Sequence, residues 1–304
     1  MKKLIRKNTI QKIKERASKN LSIHEVYLDT DLEIETIEYL KKQKYLEFSK
    51  IETVLKNNFI SSYPFGYIMK NKKNNIVGFM GTIFSIRTMG YKERVYCNIH
   101  TWIVDEVFRL NSFLLLTELV KKKITLTAFT PVKSLIGLLE KFGFEKINIH
   151  YRVIFLSYFL RFSKKQAYRI EKNSIAIEKL LNKKDLTIFK NYIHFPCEKF
   201  VIIDLNNPEK YIFIVATKVI KKKFKTLNIF YVSDSLKFKK NWSKIGSLIY
   251  NEFKVNFCVQ YFLDKKESAI PNKFFLTKNY KKNICVKNLS NNFKLDILYS
   301  DLIE

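Results

Sequence analysis

Two short stretches carry the residue types from which a site could be built. The first is Cys97–Trp102, "CNIHTW". By the period-two alternation of a strand, Asn98 and His100 share one face while Cys97 turns to the other. An imidazole there could take a proton from an attacking amine, and the Asn98 amide could orient that amine or a water. Ordinary polar strand positions fit both residues equally well. The second stretch follows directly, "VDEVFRLNSFLLLTEL" from Val104 to Leu119. It reads as the end of a strand, an acidic loop with Arg109, and an apolar helix from about Asn111 to Lys122. Strand, loop and helix N-terminus in that order form an anion cradle, because the first helical N–H groups and the helix dipole favour negative charge. Asn111 and Ser112 are good N-caps, and Arg109 is placed either to grip a phosphate or to pair with Asp105 or Glu106. The loop contains no glycine, so its backbone cannot approach an anion as freely as glycine allows.

Around these stretches, apolar periodicity sets the elements. Residues 1–60 read as polar and helical, with "LEIETIEYLKKQKYLEF" spacing its apolar residues by three and four. From Tyr67 the period becomes two: a hairpin through the Lys-Asn turn of "NKKNN", a long strand from Ile76 to about Arg87, a turn at Gly90, and the strand that carries Asn98 and His100. "ITLTAF" is a short strand. "PVKSLIGLLEKFGF" is a helix entered at Pro131 and closed by Gly143. "FEKINIHYRVIFL" returns as a strand. Strands joined through helices imply parallel neighbours, and hairpins imply antiparallel ones, so the sheet is mixed.

The chain divides into 1–160, a helical basic connector at 161–185, and a smaller α/β half at 186–304. That second half shows a hairpin about "KKKFK", a helix in "LKFKKNWSKIGSLIYNEF", the strand "VNFCVQYFL", and further strands in "NKFFLTK", "KNICVKN" and "FKLDILY". The order echoes the first half without a second convincing helix. A structural duplication fits, but no motif repeats residue by residue.

Composition narrows the function classes. The chain has 304 residues, 47% hydrophobic and 15% aromatic, with a net charge of +28, so it can bury a substantial core. The positive charge is almost all Lys, with eight Arg, and is spread over a chain rich in Asn, Ile, Phe and Tyr. Bidentate nucleic-acid contacts draw on Arg, so no dedicated nucleic-acid site is expected; contact with an anionic membrane face stays open. Cys97, Cys197, Cys258 and Cys285 form no CxxC pair and no metal-ligand spacing with the four histidines, so buried free thiols, no metal and a cytoplasmic location are expected. The most apolar run, "VIFLSYFL" at 153–160, is too short to span a bilayer.

The combination "NNIVGFMGTIFSIR…NIHTWIVDEVFRLNSFLLLTELV…ITLTAFTPVKSLIGLLEKFGFEKI" resembles the GNAT N-acyltransferase superfamily over residues 60–155. The resemblance implies an α/β fold with a mixed sheet flanked by helices. It implies acetyl-CoA or another acyl-CoA as co-substrate, with a small-molecule or peptide amine as acceptor. Carried over position by position, it puts Trp102 and Val104 beside the pantetheine arm, Arg109, Asn111 and Ser112 at the pyrophosphate, and Thr130, which also reads as a helix cap, on the pantetheine side. His100 and Asn98, read from the strand itself, are the candidate catalytic residues beside these contacts. Two departures stand out: "RLNSFL" replaces the family's glycine-rich loop, and Leu139 occupies the position of its acidic Tyr. A GNAT-like binding or scaffold protein without catalysis, and a basic surface-binding protein, are the competing readings.

Overall fold

In the computed structural model, residues 21–44, 46–48, 52, 55, 59–89, 92–156, 167–221, 223–262, 275–289 and 297–299 are described. Helical readings of residues 1–20 and of 161–166 lie outside them.

Among the described residues, twelve strands form one sheet. In chain order they are β1 (Leu21–Val26), β2 (Gly66–Asn71), β3 (Ile76–Met89), β4 (Lys92–Val104), β5 (Thr125–Ala128), β6 (Glu145–Phe155), β7 (Tyr168–Glu171), β8 (Glu198–Asp204), β9 (Asn207–Lys221), β10 (Phe224–Val232), β11 (Phe257–Phe262) and β12 (Phe275–Lys287). The helices are α1 (Asp31–Lys41), α2 (Phe113–Lys121), α3 (Lys133–Lys141), α4 (Ser174–Leu180), α5 (Lys183–Asn191), α6 (Ser235–Lys240) and α7 (Trp242–Phe253). A 3-10 helix, Glu106–Asn111, precedes α2.

The spatial order is β1-β2-β3-β4-β5-β12-β6-β11-β10-β9-β8-β7. It reads as two five-stranded arrays running inward to a central pair. In each array hairpin-linked antiparallel strands lead to one parallel pair, β4–β5 in the first and β10–β11 in the second. The central strands are exchanged: β12, from the C-terminal half, pairs with β5, while β6, from the N-terminal half, pairs with β11. The duplication is therefore real at the level of topology.

The sequence pattern explains the layers. Along β9, Phe213 and Val215 point to one core, and Ile212, Ile214 and Ala216 to another. This is the alternation of a sheet buried on both sides. On the back face lie α2 and α3, packed on Phe84, Cys97, Ile99 and Leu126, together with α6 and α7, packed on Ile202, Ile214 and Leu227. On the front face lie α1, packed on Ile68 and Phe79, and α4 and α5, packed on Val201 and Phe213. All four cysteines are buried and free, as their spacing implied.

Several elements differ from the sequence reading. "LSIHEV", within the stretch read as helical, is a strand, β1, paired along its whole length with β2. The basic connector is not wholly helical: Tyr168–Glu171 is an edge strand on β8. Of "NKFFLTK" and "KNICVKN", the described Phe275–Lys278 and Lys282–Lys287 belong to one strand, β12, whose register shifts between Tyr280 and Ile284. Of "FKLDILY", the described residues Ile297–Tyr299 form a bend, not a strand, and are held by the core: Arg87 donates to the Leu298 carbonyl at 2.7 Å, and the Tyr299 N–H bonds the Tyr192 hydroxyl at 2.6 Å.

Candidate functional site

The parallel pair β4–β5 is short. It runs from Tyr96↔Thr125 to Asn98↔Thr127 and then opens. Beyond Asn98, β4 continues to Val104 with no further pairing to β5. At the opening, β4 carries a bulge. Met80 of β3 pairs with Trp102 and Gly81 with His100, so Thr101 is the extra residue, at φ +42°. A bulge re-aims side chains and adds twist, and here it falls where the two parallel strands part. The result is a wedge-shaped notch in the middle of the first array.

His100 and Asn98 both line the front face at this notch, 5% and 2% exposed. Asn98 Oδ1 accepts from the Thr127 hydroxyl at 3.2 Å across the last paired rung. His100 Nδ1 lies 2.9 Å from the Thr101 hydroxyl, which fixes the ring plane. The imidazole lies over Gly81: a Cβ there would sit 2.6 Å from the ring. Gly81, Thr101 and Thr127 thus hold the two residues in place. None of the three stood out in the sequence, because each acts through a cross-strand or bulge contact. The trace they leave in the sequence is a Gly in the long strand β3 and a Thr in each of β4 and β5.

On the back side of the notch, Trp102 packs against the α2–α3 core and Val104 belongs to it. The Trp102 indole N–H is buried and has no hydrogen-bond partner among the described residues. A buried donor without a partner costs about 1–3 kcal/mol.

The loop after β4 differs from the sequence reading. Instead of an open turn capped by Asn111 or Ser112, residues 106–111 wind into a 3-10 helix that runs straight into α2. Ser112 has helical dihedrals and makes no side-chain cap bond. The Phe108 N–H bonds the Asp105 carbonyl and the Ser112 N–H bonds the Arg109 carbonyl, so these amides are used internally. A glycine-free sequence favours this outcome, since tight 3-10 turns need no left-handed residue. The helix leaves Val107 and Leu110 86% and 91% exposed on one side. Arg109 is exposed and pairs loosely with Glu106 at 3.8 Å, the pairing the sequence offered as an alternative to phosphate. Asp105 anchors the loop to α1 by accepting from the Tyr39 hydroxyl at 2.9 Å.

α3 begins at Lys133, two residues after Pro131, and ends where Gly143 takes φ +86° and its N–H bonds the Glu140 carbonyl. Thr130 is exposed at the end of the β5 loop. Leu139 is 1% exposed within the α2–α3 core, so the position of the family's acidic Tyr is filled by packing. Among the described residues no group of three or more His, Cys, Asp or Glu is placed to hold a metal ion. Nor is any described helix long and apolar enough to cross a membrane.

A mixed sheet that opens between its parallel strands at a bulge, with helices on both faces, defines the GNAT fold, and this chain has that fold. Similarity among solved structures is consistent over nearly the whole chain. A GCN5-related N-acetyltransferase from Anabaena variabilis superposes with a TM-score of 0.57 at 9% identity, covering 88% of this chain and 72% of that one. One from Kribbella flavida gives 0.57 at 10% identity, covering 89% and 71%. A probable N-acyltransferase from Enterococcus faecalis gives 0.57 at 10%, covering 88% and 71%. No family model matches the chain, and no curated protein matches it in sequence.

Proposed function

We propose that the protein is an acyl-CoA-dependent N-acyltransferase whose reaction centre is the notch between β4 and β5. The observation that carries this reading is the parting of the two strands after Asn98↔Thr127 beside the Thr101 bulge. It leaves the Ile99–Val104 edge of β4 open to the backbone-like amides of a pantetheine arm. Trp102 supplies a buried N–H donor at the same place. The acyl thioester enters this notch, and backbone N–H groups stabilise the oxyanion that forms on its carbonyl.

In the reaction the amine nitrogen attacks the thioester carbon. A C–N bond forms, the C–S bond breaks, and CoA leaves as a thiolate. His100 accepts the proton lost by the amine, and Asn98 orients that amine. The leaving thiolate takes its proton from solvent, since Leu139 offers none. Trp102 and Val104 flank the pantetheine arm, with Thr130 beside it, while Arg109, Asn111 and Ser112 meet the phosphates. With the loop amides tied up in the 3-10 helix, the charge of Arg109 carries more of the phosphate contact than in a glycine-rich loop. Acetyl is the proposed acyl group, and the acceptor is a small-molecule or peptide amine.

The 3-10 helix also favours a second reading, a GNAT-fold binding module that no longer binds CoA. Isothermal titration with acetyl-CoA and with a long-chain acyl-CoA separates the two. Saturable binding that weakens on Arg109→Ala supports the enzyme; no heat at millimolar ligand removes it.

A further inference from the structure

The C-terminal half repeats the geometry of the notch with a different set of side chains. Asn228 of β10 sits on the front face at a rung of the second parallel pair, opposite Val259 of β11, as Asn98 sits opposite Thr127 in the first. In the first half the threonine hydroxyl satisfies the asparagine. Valine has no donor, so Asn228 Oδ1 is left without a partner among the described residues. On its other side Asn228 pairs in register with Thr217 of β9, whose hydroxyl is also without a partner among the described residues. Directly opposed residues have Cβ atoms about 4.5–5.5 Å apart, yet these two do not bond each other. Both are more than nine-tenths buried, at 7% and 5% exposure.

Two orphaned groups on one rung need the same thing, a third polar group between them. The surroundings state its charge. Glu198, on the strand next to β9, faces away and pairs with Lys218 at 2.9 Å. Lys199 spends its ammonium on the Tyr192 and Phe195 carbonyls at 3.1 and 2.8 Å. Neither side chain is free to turn to the rung, which itself presents only neutral groups, the Asn228 amide and the Thr217 hydroxyl. Further along the same face, Phe257 lies between Phe155 and Phe224, with ring centroids 5.0 and 5.1 Å apart, and Phe155 and Phe224 are half-exposed. Thr226 lies between Phe224 and Asn228 on that face of β10.

We propose that the front face of the C-terminal half holds a second binding site, centred on Thr217 and Asn228, for a neutral ligand with an N–H or O–H donor. The donor group bonds Asn228 Oδ1 and the Thr217 hydroxyl, and the ligand's apolar part lies toward Phe257. Five strand spacings of about 4.8 Å separate β10 from β4. The site is therefore distinct from the β4–β5 notch and does not depend on CoA.

Acetamide and glycerol are suitable probes, titrated into the intact protein without any acyl-CoA. The expected result is a saturable shift of the Asn228 side-chain amide resonances and a rise in Tm. Both effects disappear in Thr217→Val and Asn228→Leu. Val259→Thr is the decisive variant, because it is nearly isosteric and gives Asn228 the internal donor that Thr127 gives Asn98. It should keep the fold and lose at least tenfold in probe affinity. An unchanged probe response in Val259→Thr, or no saturable response in the wild-type protein, overturns the proposal.

Discussion

At the scale of single residues, the notch depends on close approach. Gly81→Ala would put a Cβ 2.6 Å from the His100 ring and force the imidazole off the bulge. On the proposed chemistry, kcat should fall at least tenfold while acyl-CoA affinity stays unchanged, and steady-state kinetics beside calorimetry will show whether the two separate. His100→Ala should lower kcat by roughly 10²-fold, the usual worth of a positioned general base. Glu25 makes a different prediction. Burial raises its pKa, but hydrogen bonds from Tyr27, Lys122 and Tyr67 outweigh this and hold it below the ordinary 4.5. A depressed carboxylate contributes stability above its unfolded pKa and loses it as pH falls through the folded value. Wild-type Tm should therefore drop below about pH 4.5. Glu25→Gln should start lower at pH 7 and show a shallower acid slope in a pH series of thermal melts.

At the scale of elements, α5 is tied to the sheet by one buried carboxylate. Asp185 accepts from the Tyr231 hydroxyl at 2.7 Å and the Tyr211 hydroxyl at 2.9 Å. Burial leads the causes that push the Tyr211 phenol up to about 12, so at neutral pH it stays a donor. Asp185→Ala strands both hydroxyls and should cost about 3 kcal/mol by urea denaturation, while Tyr231→Phe should cost about 1 kcal/mol. The elements were unevenly legible in the sequence. β3, β4, α2, α3 and the β9–β10 hairpin follow from periodicity, because each has one or two long apolar faces. β1 and β7 did not, because they are short edge strands whose pattern, such as "LSIHEV", has few apolar residues to count. The loop at 106–111 was misread for a local reason. Asn111 and Ser112 have good capping chemistry, but the chain there is wound into a 3-10 helix and Ser112 takes helical dihedrals, so its side chain makes no cap bond.

At the scale of the whole molecule, exchange of β6 and β12 makes the halves interdependent. Without residues 275–287, β5 loses β12 as its neighbour and β6 loses one of its two. Open strand edges pair with other chains. Expressed alone, the 1–160 segment should aggregate or precipitate. Co-expression with 161–304 should restore a soluble 1:1 complex, which size-exclusion chromatography with light scattering will detect.

The sequence by itself determined the apolar faces, the mixed sheet, the strand carrying Asn98 and His100, and the glycine-free loop after it. These are local properties, written in spacings of two to four residues. Tertiary structure alone decided which strands are neighbours. That choice exchanged β6 with β12, placed Gly81 under His100, and set Thr127 beside Asn98 but Val259 beside Asn228. The deciding contacts join residues far apart in the chain, and no local period records which distant strand will supply the partner.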